Sequence, residues 1–346
     1  MKAVMLTGIR KVAVREVPEP VIQTARDVLI QVGSVGVCGS DVHYYATGRI
    51  GSQIVKYPFR VGHEFSGRVL KVGRSVTRVR PGDRVTVDPA MFCGHCDQCR
   101  IGRFHTCRKL KFLGCPGQAE GCFCERVVMP EASCFKVKRT TTLELAALVE
   151  PLSIGYYAVQ QSLPMKGARV GILGCGPIGL SVLLPAKLQG ARRIYVTDKI
   201  DSRLAAARKA GACWGGNPGK TDVVTAVQKA EPLLLDVVFE CCGEQAALDQ
   251  AVEMLKPGGK LMLIGIPTVD RISFSIDKLR RKEICIQNVR RQNECVEATL
   301  ELVEHHRIRP DFMITHRFSL DETQEALDLV EHYRDGVVKA MINVEP

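Results

Sequence analysis

Four cysteines, Cys93, Cys96, Cys99 and Cys107, fall within one short glycine-containing stretch of this chain. Four thiolates at such spacing can surround one Zn2+ tetrahedrally and leave no open position. A closed site of this kind is structural: it holds together a loop whose apolar mass is too small to fold alone. His95 and His105 lie in the same stretch, but four sulfurs already fill a tetrahedron, so both read as bystanders. Three further segments carry metal-ligating groups. They are Val37-Cys38-Gly39-Ser40-Asp41-Val42-His43, Gly62-His63-Glu64 and Val149-Glu150-Pro151-Leu152.

A second kind of chemistry lies further along. The apolar run 169–173 leads into Gly174-Cys175-Gly176-Pro177-Ile178-Gly179, and a helical pattern follows. The first glycine permits a tight turn, the second lets the backbone approach a pyrophosphate, and the third lets the helix pack on the strand. With Pro177 and Ile178 they open a helix whose N-terminus offers free N–H groups to phosphates. Asp198 ends the next apolar run, 24 residues after Gly174. An acid there hydrogen-bonds the adenosine ribose and repels a 2′-phosphate, which favours NAD over NADP. Arg203 is the nearby group that could aid a phosphate.

These residues need elements to place them. Residues 1 to about 145 hold short alternating runs (28–32, 67–72, 84–87, 125–128) separated by turn signals such as Arg80-Pro81-Gly82-Asp83. They predict a mostly antiparallel β domain. After Pro151, strand-like runs (169–173, 193–197, 235–239, 260–264, 284–287) alternate with helical stretches (178–189, 202–210, 221–230, 245–255). That alternation predicts a doubly wound parallel sheet. Amphipathic helices at 294–305 and 321–333 and a strand at 337–343 follow, a tail expected to return to the first domain.

The 346 residues allow about two domains of roughly 150 each. Hydrophobic residues make up 46% and charged residues 25%, enough apolar mass for each half to bury a core. The start has no apolar leader run, and the most apolar stretch, 170–188, is broken by glycines and prolines. A soluble, cytoplasmic protein with no membrane partner is expected. Fifteen cysteines in such a chain are not a disulfide framework. The net charge of +11 comes from basic residues scattered among acids, so no nucleic-acid partner is expected, although a positive field would attract an anionic dinucleotide.

Together and in this order, these segments resemble the zinc-containing medium-chain alcohol dehydrogenase family over essentially the whole chain. The resemblance implies an α/β protein: a GroES-like, mostly β catalytic domain (1–150 and 290–346, with a structural zinc lobe at 90–110) and a Rossmann NAD-binding domain (151–289). Glu150, within Glu-Pro-Leu-Ser, stands where the alcohol dehydrogenases proper carry a second cysteine. That acid is similar to the sorbitol (polyol) dehydrogenase branch. So is the run from Cys38 to Tyr45 followed by Gly48-Arg49-Ile50-Gly51.

In that branch Cys38, His63 and Glu64 would bind the catalytic zinc, and Glu150 would hold its water or join as a ligand. In other branches the later acid coordinates. The sequence leaves open which acid binds. The implied chemistry is zinc-assisted loss of a hydroxyl proton followed by hydride transfer to the nicotinamide. Ser40 and His43 match the family's proton relay. Tyr44, Phe112 and Arg291 match pocket-lining positions of polyol dehydrogenases. Two residues depart from that group: Gln292 replaces a tyrosine, and Cys115 replaces the threonine of the animal enzymes.

The resemblance therefore implies NAD-linked oxidation of a secondary alcohol of a sorbitol- or xylitol-like polyol, by a homotetramer with one catalytic and one structural zinc per chain. L-threonine 3-dehydrogenase is the nearest alternative, although those enzymes tend to carry Asp-Pro where this chain has Glu150-Pro151. A non-catalytic binding member of the family would be marked by lost zinc ligands, and none is lost here.

Overall fold

The computed structural model describes residues 1–344. Strand β1 (Asp27–Gly36) buries Val28, Ile30 and Val32 while the residues between them stay half-buried, the period of a strand with one covered face. From Val32 to Gly36 every residue is buried, so the strand enters the interior just before Cys38. Helix α1 (Gly39–Thr47) follows and ends at Gly48, which takes φ 71° and donates its N–H to the Tyr44 carbonyl at 3.0 Å. Strands β2 (Glu64–Val72), β3 (Arg84–Val87), β4 (Arg126–Pro130) and β5 (Cys134–Val137) complete the first pass through the sheet. Two helices, α2 (Leu143–Ala147) and α3 (Val149–Gln161), come next.

A second sheet then begins. It contains β6 (Arg169–Leu173), β7 (Arg193–Thr197), β8 (Trp214–Gly216), β9 (Leu235–Glu240), β10 (Leu255–Leu263) and β11 (Cys285–Asn288). All pairings are parallel and the order is β8-β7-β6-β9-β10-β11. That is the doubly wound order with its switch point between β6 and β9. Helices α4 (Pro177–Leu188), α5 (Asp201–Ala210), α6 (Val223–Ala230), α7 (Gln245–Met254) and α8 (Ile276–Lys282) alternate with the strands. Every residue of β9 is buried, as a strand covered on both faces requires.

After α9 (Val296–Glu304), strand β12 (Ile314–Ser319), helix α10 (Thr323–Glu331) and strand β13 (Lys339–Asn343) return to the first sheet, whose order is β5-β3-β2-β1-β13-β12 with β4 also pairing β1. Its pairings are antiparallel except β12 with β13. Its core gathers Leu6, Ile30, Tyr45, Phe65, Phe123 and Met129.

The chain thus forms two units, Met1–Glu150 with the residues from Val296 on, and Pro151–Cys295. The family resemblance implies a return at 289/290. Residues up to Cys295 stay with the second unit because Cys295 is tied there: its N–H donates to Gln292 Oε1 at 2.8 Å and its thiol to Gln160 Oε1 at 3.4 Å. A helix expected over 245–255 stops at Met254, and Leu255 already opens β10. No helix of the described residues is long and apolar enough to cross a membrane.

Candidate active site

Three segments of the first unit converge. Cys38 caps α1, His63 immediately precedes β2, and Glu64 opens β2 paired with Gly36 of β1. The thiol of Cys38, a ring nitrogen of His63 and a carboxylate oxygen of Glu64 all lie within 4.8 Å of one another. Thiolate, imidazole and carboxylate are a donor set that suits zinc, and three protein donors leave a position open. Glu150, in the first turn of α3, is not among these three. Its Oε2 is nonetheless buried with no hydrogen-bond partner. Burial pushes its carboxyl up to about 8, with Glu64 and Asp88 adding to the rise and His63 and Lys339 opposing it. An orphaned acid beside this donor set is a group that a cation would satisfy.

Two neighbours hold the set in place, and sequence reading gave neither a role. Asp41 is fully buried; its carboxylate accepts the N–H of Cys38 at 3.1 Å and of Gly62 at 2.9 Å, and its Oδ1 faces His63 Nδ1 at 3.4 Å. Burial disfavours the charged imidazole, but Asp41 and Cys38 outweigh it and lift the His63 pKa. Lys339, on β13, is 1% exposed and its ammonium donates to Glu64 Oε2 at 2.6 Å. Burial alone would lower its pKa; Glu64 and Cys38 raise it instead. The quoted run through Asp41 could have signalled the first. No local pattern could signal the second, since Lys339 and Glu64 lie 275 positions apart.

Ser40 and His43 lie three residues apart on α1 and so share a face. Ser40 Oγ donates to Cys38 Sγ at 3.4 Å. Burial lowers the His43 pKa, which favours the neutral ring that can take up a proton. Tyr44 is buried with its hydroxyl donating to Gln53 Oε1 at 2.9 Å and lying 3.7 Å from Cys115 Sγ. The Phe112 ring packs 5.1 Å from that of His63. Tyr44, Phe112 and Cys115 therefore belong to the surroundings of the donor set. Arg291 and Gln292 belong to the second unit, where Gln292 spends its side-chain carbonyl on the Cys295 N–H.

In the four-cysteine lobe the sulfurs of Cys96 and Cys99 lie 3.5 Å apart, Cys96 and Cys107 3.9 Å, and Cys93 and Cys99 4.0 Å. A tetrahedron with Zn–S bonds near 2.3 Å has edges of roughly 3.8 Å. The cysteines are free thiols, so no disulfide explains the cluster. Backbone N–H groups of Cys99 and of Arg108 bring Cys96 down to about 6, while burial drives Cys99 up to about 12. The residues fit one ion. His95 Nδ1 instead meets the Cys93 carbonyl at 2.7 Å.

In the second unit, Gly174 follows β6 with φ 96°, and Pro177 starts α4. A Cβ at Gly179 would fall 1.8 Å from the Gly174 carbonyl oxygen, so helix and turn meet only because no side chain is there. Asp198 Oδ2 accepts the Cys175 N–H at 2.7 Å and its Oδ1 the Ile200 N–H at 2.8 Å, which pins the acid to the glycine loop. Arg203 reaches from α5 until its Nη1 lies 3.3 Å from where a Cβ of Gly176 would stand. A cavity of about 250 Å³ opens beside them at the carboxyl ends of β9 and β10, lined by Glu240, Gly243, Ile264, Gly265, Ile266 and Pro267 among others. Glu240 Oε1 accepts the N–H groups of Cys242 (2.7 Å) and Gly243 (2.6 Å) and fixes this rim. No motif in the sequence marks these residues. The ends of parallel strands near the switch point are where such sheets bind ligands.

Residues 24–139 match the alcohol dehydrogenase GroES-like domain and residues 177–305 the zinc-binding dehydrogenase domain. Sorbitol dehydrogenase of Bacillus subtilis is 34% identical over 343 residues, covering 99% of this chain and 97% of that protein. L-idonate 5-dehydrogenase of Vitis vinifera is 33% identical, covering 92% of this chain and 88% of that protein. A crystal structure from Sinorhizobium meliloti 1021, bound to NADP, superposes with a TM-score of 0.89 at 31% identity, covering 99% of both chains. With glycine loop, four-sulfur lobe and Cys-His-Glu set in place on these two folds, the chain belongs to the zinc-containing medium-chain alcohol dehydrogenase family, in its polyol branch.

Proposed function

We propose that this dehydrogenase oxidises a secondary alcohol of a sorbitol- or xylitol-like polyol to the ketose, with NAD as the hydride acceptor. The observation that carries the reading is the convergence of Cys38, His63 and Glu64, with the orphaned acid of Glu150 beside them. Cys38, His63 and Glu64 would hold the catalytic zinc, which when bound lowers the pKa of an alcohol hydroxyl. Asp41, facing His63 Nδ1, would leave the other ring nitrogen to hold the ion. Ser40 and the neutral His43 would carry the substrate proton outward along α1. Tyr44 and Phe112 would wall the substrate beside the donor set. Gly174, Gly176, Pro177, Ile178 and Gly179 would cradle the dinucleotide's pyrophosphate. Asp198, already fixed by Cys175 and Ile200, would take the ribose hydroxyls and favour NAD. Cys93, Cys96, Cys99 and Cys107 would hold the structural zinc. The similarity to sorbitol and L-idonate dehydrogenases supports a polyhydroxylated substrate.

The test is absorbance at 340 nm with NAD or NADP against sorbitol, xylitol and L-threonine. Polyol-dependent NADH formation that a chelator abolishes is expected. Turnover of threonine alone would move the substrate to the other branch, and a preference for NADP would remove Asp198 from its discriminating role.

A further inference from the structure

Lys339 is the fully buried cation that the proposed reaction does not use. Strand β13 brings it to the site: the Val37 N–H bonds the neighbouring Ala340 carbonyl at 3.0 Å, and the Lys339 ammonium donates to the Val37 carbonyl at 3.1 Å and to Glu64 Oε2 at 2.6 Å. On its other side the Glu64 carboxylate lies against the backbone of β1, where a Cβ at Gly36 would come within 2.3 Å of Oε2. The carboxylate is thus confined between a strand and an ammonium while one of its oxygens stays in reach of Cys38 and His63.

Such an arrangement sets two cations against each other. A divalent ion among Cys38, His63 and Glu64 would share the Glu64 carboxylate with a fixed positive charge that also repels the ion directly. Burying an ammonium is costly unless its partners are specific, and the partner Lys339 takes is a carboxylate that also faces Cys38 and His63. We propose that Lys339 is a positioning residue that holds Glu64 partly back from the metal, giving up metal affinity to keep Glu64 an exchangeable ligand. The inference rests on the zinc reading of Cys38 and His63.

The sign of the effect on metal retention tests it. Zinc loss from the purified enzyme to a chromogenic chelator is followed for wild type, Lys339→Met, Lys339→Arg and Cys38→Ser. Cys38→Ser identifies which phase belongs to this site. Lys339→Met should release that zinc at least about tenfold more slowly, because the opposing charge is gone. Its kcat should fall at least about tenfold with KM changed less. Lys339→Arg should return both values towards wild type. Cobalt-substituted Lys339→Met should show altered visible bands, as Glu64 closes fully onto the ion. Damage to the fold would instead speed zinc loss. Release at the wild-type rate or faster in a protein with wild-type circular dichroism overturns the role of Lys339. Should Lys339→Met not fold, Lys339→Gln, which keeps a donor for Val37 and Glu64, carries the same measurement. Should Cys38→Ser hold as much zinc as wild type, the metal reading itself fails and takes this proposal with it.

Discussion

With Asp41 facing Nδ1 of His63 at 3.4 Å, the other ring nitrogen is the one left for a cation. Removing that charge while keeping the shape should therefore weaken the site without unfolding it. Asp41→Asn is expected to lower zinc affinity and turnover by roughly 10–100-fold, measured by competition with a chelator and by initial rates; unchanged affinity would deny Asp41 its orienting role. Glu150 makes a prediction about pH. Its carboxyl, pushed up to about 8 from the ordinary 4.5, keeps its proton in the folded, metal-free protein where the unfolded chain has lost it. Stability therefore falls as pH rises from about 4.5 to about 8, because the folded state binds the extra proton. Metal-stripped Glu150→Gln should melt a few degrees above metal-stripped wild type at pH 8, and the gap should shrink at pH 5. An equal gap at both values would show that burial does not penalise this carboxylate. Cys38, His63, Glu64 and Glu150 stood out in the sequence only together, through the family resemblance that their order carries, and that resemblance left open which acid binds. Asp41 could have been read from its place three residues after Cys38, but Lys339 could not, because its partner Glu64 lies 275 positions away.

Elements divide along a similar line. The strands 169–173 and 193–197 are continuous apolar runs with clear turns, and their bounds read directly from the chain. Trp214–Gly216 has three residues, two of them glycine, and no period to detect. Strand β10 contains Pro257 and Gly258, residues that read as a stop, yet Leu255 already pairs with Leu235 before a register shift absorbs them. The four-cysteine lobe is the opposite case, since composition alone marks it. The regular structure between its sulfurs is limited to the helical turn Asp97–Arg100 and the short turn Phe104–Thr106. Cys96→Ser should leave three thiolates for the ion and cost a structural contact that little else replaces. A melting temperature lowered by several degrees and loss of one zinc per chain are expected; melting at the wild-type temperature would mean the lobe is not held by metal.

At the scale of the whole chain, the second unit is an insertion with its own sheet order and its own core of Leu173, Val227, Leu235, Val238, Leu248 and Leu261. A fragment of residues 151–295 should fold alone and enhance NADH fluorescence on binding. A fragment with native circular dichroism but no response would separate the fold from the cofactor site. The doubly wound class of this unit was readable from alternation, and the β class of the first from its short runs. The pairing of β13 with β1 was not, because it joins residues about three hundred positions apart.

That pairing has a consequence for how the protein is made. Strand β13 slots between β1 and β12 and delivers the ammonium that faces Glu64, and it lies C-terminal to the other strands of its sheet. A chain in which β13 has not yet paired with β1 would hold Cys38, His63 and Glu64 without that ammonium opposite the carboxylate. Zinc offered during refolding before that strand docks would therefore meet a more negative set of donors than zinc offered afterwards.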